Sequence, residues 1–272
     1  MSLPAPSDTS TALVTGASAG IGAEIARELA RRGHGVVLVA RRKQRLLDLA
    51  EELKSEYGVR AEAVSCDLGR PAARGRLPGQ IADLGLDVEI LINNAGFATG
   101  GPFHASDSER ELEQVRVLVE AVVGLTSAFL PEMVKRKQGA ILNVASTAGM
   151  QPLPHAAGYS AAKAYVLTFT EALHQEVSGE GVTVTALAPG PVETEFWQGA
   201  DWQVAGGRSF EKAFPKPALV SVQDVAKAGV DGLDAGRRVV VPGLSMRAAM
   251  LASRYIPHAI KLPVIENVMR RR

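Results

Sequence analysis

From Thr11 onward, short runs rich in β-branched residues alternate with longer amphipathic stretches, and this alternation restricts the fold more than anything else in the chain. TALVT leads into a helical pattern ending at Arg32, and VVLVA leads into one from Arg42 to about Tyr57, followed by AEAVS. The pattern continues with VEILI, a long helical stretch from about Asp107 to Lys137, AILNV, a helix from about Tyr159 to Ser178, VTVTALA and RVVVP near Val239. Parallel strands can be joined only by crossovers of helix length, so this order predicts an α/β fold. The expected architecture is a doubly wound, seven-stranded parallel sheet with helices on both faces. No repeat or domain-sized linker interrupts residues 11–245, which predicts a single domain there.

Three stretches break the rhythm. Between Gly69 and Gly79, prolines and glycines stand where a crossover helix is due, which predicts a short or late helix. Residues 196–217 mix Phe196, Trp197, Trp202, Phe210 and Phe214 with glycines and charges, the composition of a lid-like segment. The extension 246–272 is apolar and ends in three arginines, so it needs a surface to pack on: the core, a partner subunit or a membrane surface. Residues 1–10 have neither a charged n-region nor an apolar h-region and are expected to form a flexible tail.

Composition excludes several classes. With 30 basic against 29 acidic residues, the net charge of +1 lacks the basic excess of a nucleic-acid binder. A single cysteine, Cys66, leaves no internal disulfide to form and fits a reducing, cytoplasmic setting. No run approaches the roughly 18 unbroken apolar residues of a transmembrane segment. No metal site is expected.

TGASAGIG follows the first strand and opens a helix, the context in which a glycine turn binds a dinucleotide. Gly16 permits the turn, Gly20 lets backbone approach a pyrophosphate, and Gly22 allows helix and strand to pack closely. The helix N-terminus offers free N–H groups to phosphate. About 20 residues on, a carboxylate would bind the 2′-hydroxyl of NAD, but Ala40 stands there and Arg41 follows. NADP(H) is therefore the expected cofactor. Tyr159 and Lys163, four residues apart on one helix, share a face, and an ammonium beside a phenol makes the phenol a stronger acid.

Taken in order, TGASAGIG, Cys66-Asp67-Leu68, Asn93 to Gly96 (NNAG), Ser146 in NVASTAG, Tyr159 with Lys163, and PGPVET from Pro189 to Thr194 resemble the short-chain dehydrogenase/reductase family. The resemblance runs from about Ala12 to Thr194. It implies a Rossmann fold and a reversible NADPH-dependent reduction of a ketone or aldehyde. It further implies that Gly16, Ser18, Gly20, Ile21, Gly22 and Arg41 hold the phosphates, and that Asp67 and Leu68 meet the adenine. Asn93, Ala95 and Gly96 would border the ribose, and Pro189, Gly190, Val192 and Thr194 the nicotinamide. Ser146 would bind the substrate carbonyl, Tyr159 would donate the proton, and Lys163 would hold the ribose and acidify the phenol. A homodimer or homotetramer packed through the long helices is implied as well.

Leu118 departs from the pattern, because most members carry a catalytic asparagine there. A leucine cannot hydrogen-bond, so a weakly active or inactive NADP-binding sensor or scaffold is the alternative. The aromatics after the nicotinamide motif suggest a small apolar carbonyl or alcohol substrate: a steroid, a lipid-like ketone or a 3-oxoacyl thioester.

Overall fold

The computed structural model describes residues 3–197 and 219–270. Strands β1 (Ser10–Thr15), β2 (Gly35–Ala40), β3 (Ala61–Ser65), β4 (Asp87–Asn93), β5 (Gly139–Val144), β6 (Val182–Leu187) and β7 (Val239–Val240) form one parallel sheet in the order β3-β2-β1-β4-β5-β6-β7. Helices α1 (Gly20–Arg31), α2 (Lys43–Tyr57) and α7 (Val222–Asp234) cover one face. Helices α3 (Pro71–Asp83), α4 (Ser108–Val115), α5 (Ala121–Lys135) and α6 (Ala157–Glu176) lie on the other side, and α8 (Leu244–Ser253) and α9 (His258–Arg270) follow the last strand. The expected single α/β domain with seven parallel strands is the fold observed.

The two-residue period of the strands divides the core. In β1 and β2, Ala12, Val14, Val36 and Leu38 face α1 and α2, packing with Ile25, Leu29 and Leu46. Their alternates Leu13, Val37 and Val39 face the other way and join Leu77, Leu125 and Leu173 from α3, α5 and α6. Both faces of the central strands are thus dry, which is why they read as unbroken apolar runs.

A chain of paired polar groups crosses this core. Asn93 at the end of β4 donates to Asn143 Oδ1 at 2.8 Å, Asn143 donates to Thr170 Oγ1 at 2.9 Å, and Thr170 donates to the Val166 carbonyl of α6. Asn143 and Thr170 have no solvent exposure. Asn143→Ala takes one hydrogen bond from each of two buried partners, Asn93 and Thr170, and we expect it to lower the unfolding free energy by about 2–4 kcal/mol, read from urea denaturation.

Several boundaries differ from expectation. The crossover helix α3 is not short: it runs from Pro71 to Asp83 because Pro71 occupies the first turn, where a missing N–H costs nothing. The long helix is interrupted by a π-turn at Arg116–Glu120, between α4 and α5. Ser108–Lys135 is long and apolar enough to cross a membrane by length and composition, although charged residues interrupt it and it holds no unbroken apolar run of that length. In the fold it packs on β4 and β5, with Ala121, Val122, Leu125 and Met133 buried.

The N-terminal residues 3–9 are also held rather than loose. The Leu3 N–H donates to Asp234 Oδ1 at 2.8 Å, and Ser7 and Ser10 exchange backbone-to-hydroxyl bonds at 3.0 Å each. Of the expected lid-like segment, all beyond Trp197 lies outside the described residues.

Candidate active site

The sheet order reverses beside β1: β2 and β4 flank it, and the helices following them lie on opposite faces. A crevice opens at that point beyond the carboxyl ends of the strands. Thr15 and Asn94 stitch its floor. Thr15 Oγ1 donates to the Ile92 carbonyl at 3.0 Å and accepts from the Asn94 N–H at 2.9 Å, while Asn94 Nδ2 returns a bond to the Thr15 carbonyl at 2.9 Å.

The glycine turn lies against this floor. Gly16 has φ of +67°, and a Cβ there would stand 2.8 Å from Ala95 Cα, so the position excludes any side chain. A Cβ on Gly22 would collide with Asn94 Nδ2 and the Gly16 carbonyl. Gly22 therefore serves the close helix packing and does not line the crevice. Gly16, Ser18, Gly20 and Ile21 do line it, together with Arg41, Asp67, Leu68, Ala95, Gly96, Pro189, Gly190, Val192 and Thr194. Asn93 is a second correction: its side chain is committed to Thr126 and Asn143 inside the core, and the neighbouring Asn94 meets the cavity instead.

Ser146, Tyr159 and Lys163 converge on the same cavity, of about 600 Å³. Ser146 follows β5 and caps a short 3₁₀ turn, its Oγ accepting from the Ala148 N–H at 3.1 Å. Tyr159 and Lys163 lie one turn apart on α6, as their spacing predicts. Lys163 Nζ donates to the Val144 carbonyl at 2.7 Å and stands 5.9 Å from the centre of the Tyr159 ring.

The electrostatics of the pair differ from the sequence expectation. Burial pushes the Tyr159 phenol up to about 12, with the hydrogen-bonding contact to Ser146 acting in the opposite sense. Burial also brings the Lys163 ammonium down to about 8. Both groups are at most 7% exposed, so loss of water outweighs the pull of a partly buried ammonium several ångströms from the ring. The buried pocket holds a protonated phenol, ready to donate, rather than an easily formed phenolate.

Leu118 sits within the π-turn, is 1% exposed, and packs in an apolar cluster with Ala98, Ala156, Tyr159 and Ala162. It packs behind the pocket wall, against Gly96 and Tyr159. Phe196 faces Tyr159 from the other side, ring centres 5.8 Å apart.

Residues that the motifs did not single out complete the site. Arg41 turns to Glu113 at 3.4 Å, whereas Arg42 reaches back to the glycine turn, donating twice to Ser18 Oγ at 2.9 and 3.1 Å. Arg42 and Arg45 both bind Glu195, at 2.9 and 2.7 Å, and hold its carboxyl below the usual carboxylate range. Two consecutive arginines gave no means of choosing between them without knowing which way the chain leaves β2. Gln151, Leu153, Met246, Met250 and Ile265 line the substrate side of the cavity. The four-residue step from Met246 to Met250 was a legible helical signal.

The residues fit a nicotinamide dinucleotide. A glycine turn at a helix N-terminus carries Ser18, paired with Arg42, on one side of the cavity, and the Ser146–Tyr159–Lys163 group lines the same cavity.

Comparison with known proteins agrees. A family model described as short chain dehydrogenase matches residues 10–204. A putative ketoacyl reductase of Streptomyces coelicolor is 40% identical over 192 residues, 70% of this chain and 73% of that protein. A very-long-chain 3-oxoacyl-CoA reductase of Anas platyrhynchos is 35% identical over 189 residues, covering 68% of this chain but 60% of that protein's length. Among solved structures, a short-chain dehydrogenase from Sphingobium yanoikuyae in complex with NADPH shares 36% identity, with a TM-score of 0.78 over 89% of this chain and 91% of that one.

Proposed function

Because the chain belongs to the short-chain dehydrogenase family, we propose that it is an NADPH-dependent reductase that converts an apolar ketone to an alcohol. The observation that carries this reading is the convergence of Ser146, Tyr159 and Lys163 on one buried cavity that also touches the glycine turn. When bound, the reduced nicotinamide supplies a hydride to the carbonyl carbon. The protein's part is to bind, orient and protonate. Ser146 Oγ and the Tyr159 hydroxyl grip the carbonyl oxygen, and the phenol passes its proton to the oxygen as charge grows there. Lys163, in a dry site, favours the negative charge left on the phenol and so lowers the barrier electrostatically. Phe196, Leu153, Met246 and Met250 exclude water and give the substrate an apolar wall.

The preference for the phosphorylated coenzyme rests on the absence of an acid at Ala40 and on Arg42 beside Ser18. An NADPH-bound relative of 36% identity supports it. The substrate class is that of the relatives named ketoacyl and 3-oxoacyl-CoA reductases, and the cavity's methionines and leucine suit such chains. Oxidation of NADPH, followed by absorbance against a panel of 3-oxoacyl thioesters and bulky ketones, tests the proposal. No turnover with any carbonyl, despite tight coenzyme binding, would favour the second reading, a nucleotide-binding protein without catalysis, which Leu118 in place of a hydrogen-bonding side chain supports.

The pH profile should carry the signature of the lysine. Reduction needs Tyr159 protonated, which holds throughout the neutral range, and Lys163 charged. We expect kcat/KM for reduction to be flat below about pH 8 and to fall about ten-fold per unit above it. Alcohol oxidation must first deprotonate the phenol while Lys163 stays charged, so its rate should rise with pH up to about 8 and level off above it.

Leu112, Val115 and Tyr165, each at least 40% exposed on α4 and α6, give the long helices an apolar outer surface. We assign that surface to self-association as a homodimer or homotetramer, with two-fold symmetry the simplest arrangement.

A further inference from the structure

Helices α8 and α9 carry apolar side chains on both their inner and outer faces. Their inner faces line the substrate cleft: Met246, 8% exposed, lies against Gly190, and Met250, Ile265 and Met269 also border the cavity. The outer faces should then be polar, since they look toward water. Instead, α8 presents Leu244 and Leu251, 85% and 57% exposed, and the turn after it presents Tyr255 at 83%. Before and in α9, Ile256 and Ile260, four residues apart, are 43% and 62% exposed, and Val264, 60% exposed, continues the row to the rim of the cleft. These spacings place each set on one side of its helix.

Charge follows the same boundary. Residues 244–272 contain Arg247, Arg254, Lys261, Arg270, Arg271 and Arg272 against a single acid, Glu266. This segment is net +5 in a chain that is net +1, so the preceding 243 residues carry a net −4. Arg247 and Arg254 are exposed and fall at helical spacing among the exposed leucines and Tyr255. A second copy of this chain would bring the same positive segment against itself, whereas an anionic lipid surface complements it. Lys261 closes the structure from within: it is 8% exposed and donates to the carbonyl and hydroxyl of Ser253, whose hydroxyl donates to Gln151 at the cavity wall. The two helices are thereby tied to each other and to the site.

We propose that the outer face of α8 and α9 docks on an anionic lipid bilayer, inserting Leu244, Leu251, Tyr255 and Ile260 among the acyl chains with Arg247 and Arg254 at the headgroups. The cleft then lies one helix thickness from the lipid, and a lipid-borne substrate reaches it without crossing water. The docking does not depend on the catalytic reading, because it is measured without turnover.

The test is co-sedimentation of the full chain with phosphatidylcholine vesicles, with and without phosphatidylglycerol, compared with the Leu251→Asp/Ile260→Asp double variant. The wild type is expected to pellet with the anionic vesicles and to be released by high salt. The variant should need about ten-fold or more additional lipid, with its far-UV circular dichroism and melting midpoint unchanged. Equal pelleting of both proteins, or no pelleting of the wild type, overturns the proposal. If vesicle binding is nil and the variant instead elutes as a smaller species on size exclusion, the face joins copies of the chain and the lipid reading fails.

Discussion

Tyr159→Phe is expected to lower kcat/KM for carbonyl reduction by about 10³-fold while leaving the dissociation constant for NADPH within about two-fold of wild type. The substitution removes one hydroxyl from a residue that is 7% exposed and keeps the ring packed against Phe196 and Leu118, so the pocket should hold its shape. What disappears is the phenol, a stronger acid than the Ser146 alcohol and protonated throughout the neutral range. Steady-state rates give the first number, and quenching of coenzyme fluorescence gives the second. A fall of less than ten-fold would sink the assignment of Tyr159 as the acid. A comparable loss of coenzyme affinity would mean that the phenol is structural. If wild type and variant bind coenzyme alike and neither turns over any carbonyl, the chain is a nucleotide-binding protein without catalysis.

Why some of this could be read in the chain, and some not, follows from the range of the interactions. The six longer strands were legible because both faces of a parallel sheet are dry and each strand carries its own apolar run. The glycine turn and the Tyr159–Lys163 pair were legible because local geometry sets their spacing. Asn93 could not be separated from Asn94 without the pairing of β4 with β5, which sets Asn93 opposite Asn143 and leaves Asn94 to the crevice. The acidity of Tyr159 was misread because burial, a property of the assembled pocket, exceeds the effect of an ammonium whose own charge is weakened by the same burial. The start of α3 at Pro71 was local, yet the density of prolines and glycines obscured it. In the C-terminal extension, apolarity was visible but its division between cleft and exterior required α8 and α9 to be placed.

The largest effect on coenzyme choice should come from Arg42. Its guanidinium donates twice to the Ser18 hydroxyl of the glycine turn, and on the proposed preference for NADPH it would meet the 2′-phosphate. Arg42→Ala is expected to weaken NADPH binding by roughly 30- to 100-fold, the value of a charge-assisted bidentate contact, and to leave NADH binding unchanged. Glu195 occupies the same guanidinium, and with Arg45 it forms a three-residue knot whose carboxylate stays ionised across the neutral range. On the proposed preference for NADPH, that carboxylate competes with the 2′-phosphate for the guanidinium. Glu195→Gln should therefore tighten NADPH binding, by roughly two- to five-fold because the pair is half exposed and screened, and again leave NADH alone. The two effects share one guanidinium, so they should not add: in the Arg42→Ala background, Glu195→Gln should gain less than it does alone. Fluorescence titration of the four proteins with each coenzyme measures the cycle. Equal losses for NADPH and NADH in Arg42→Ala would show that Arg42 holds the turn rather than the phosphate. Strict additivity would show that Glu195 acts through some group other than Arg42.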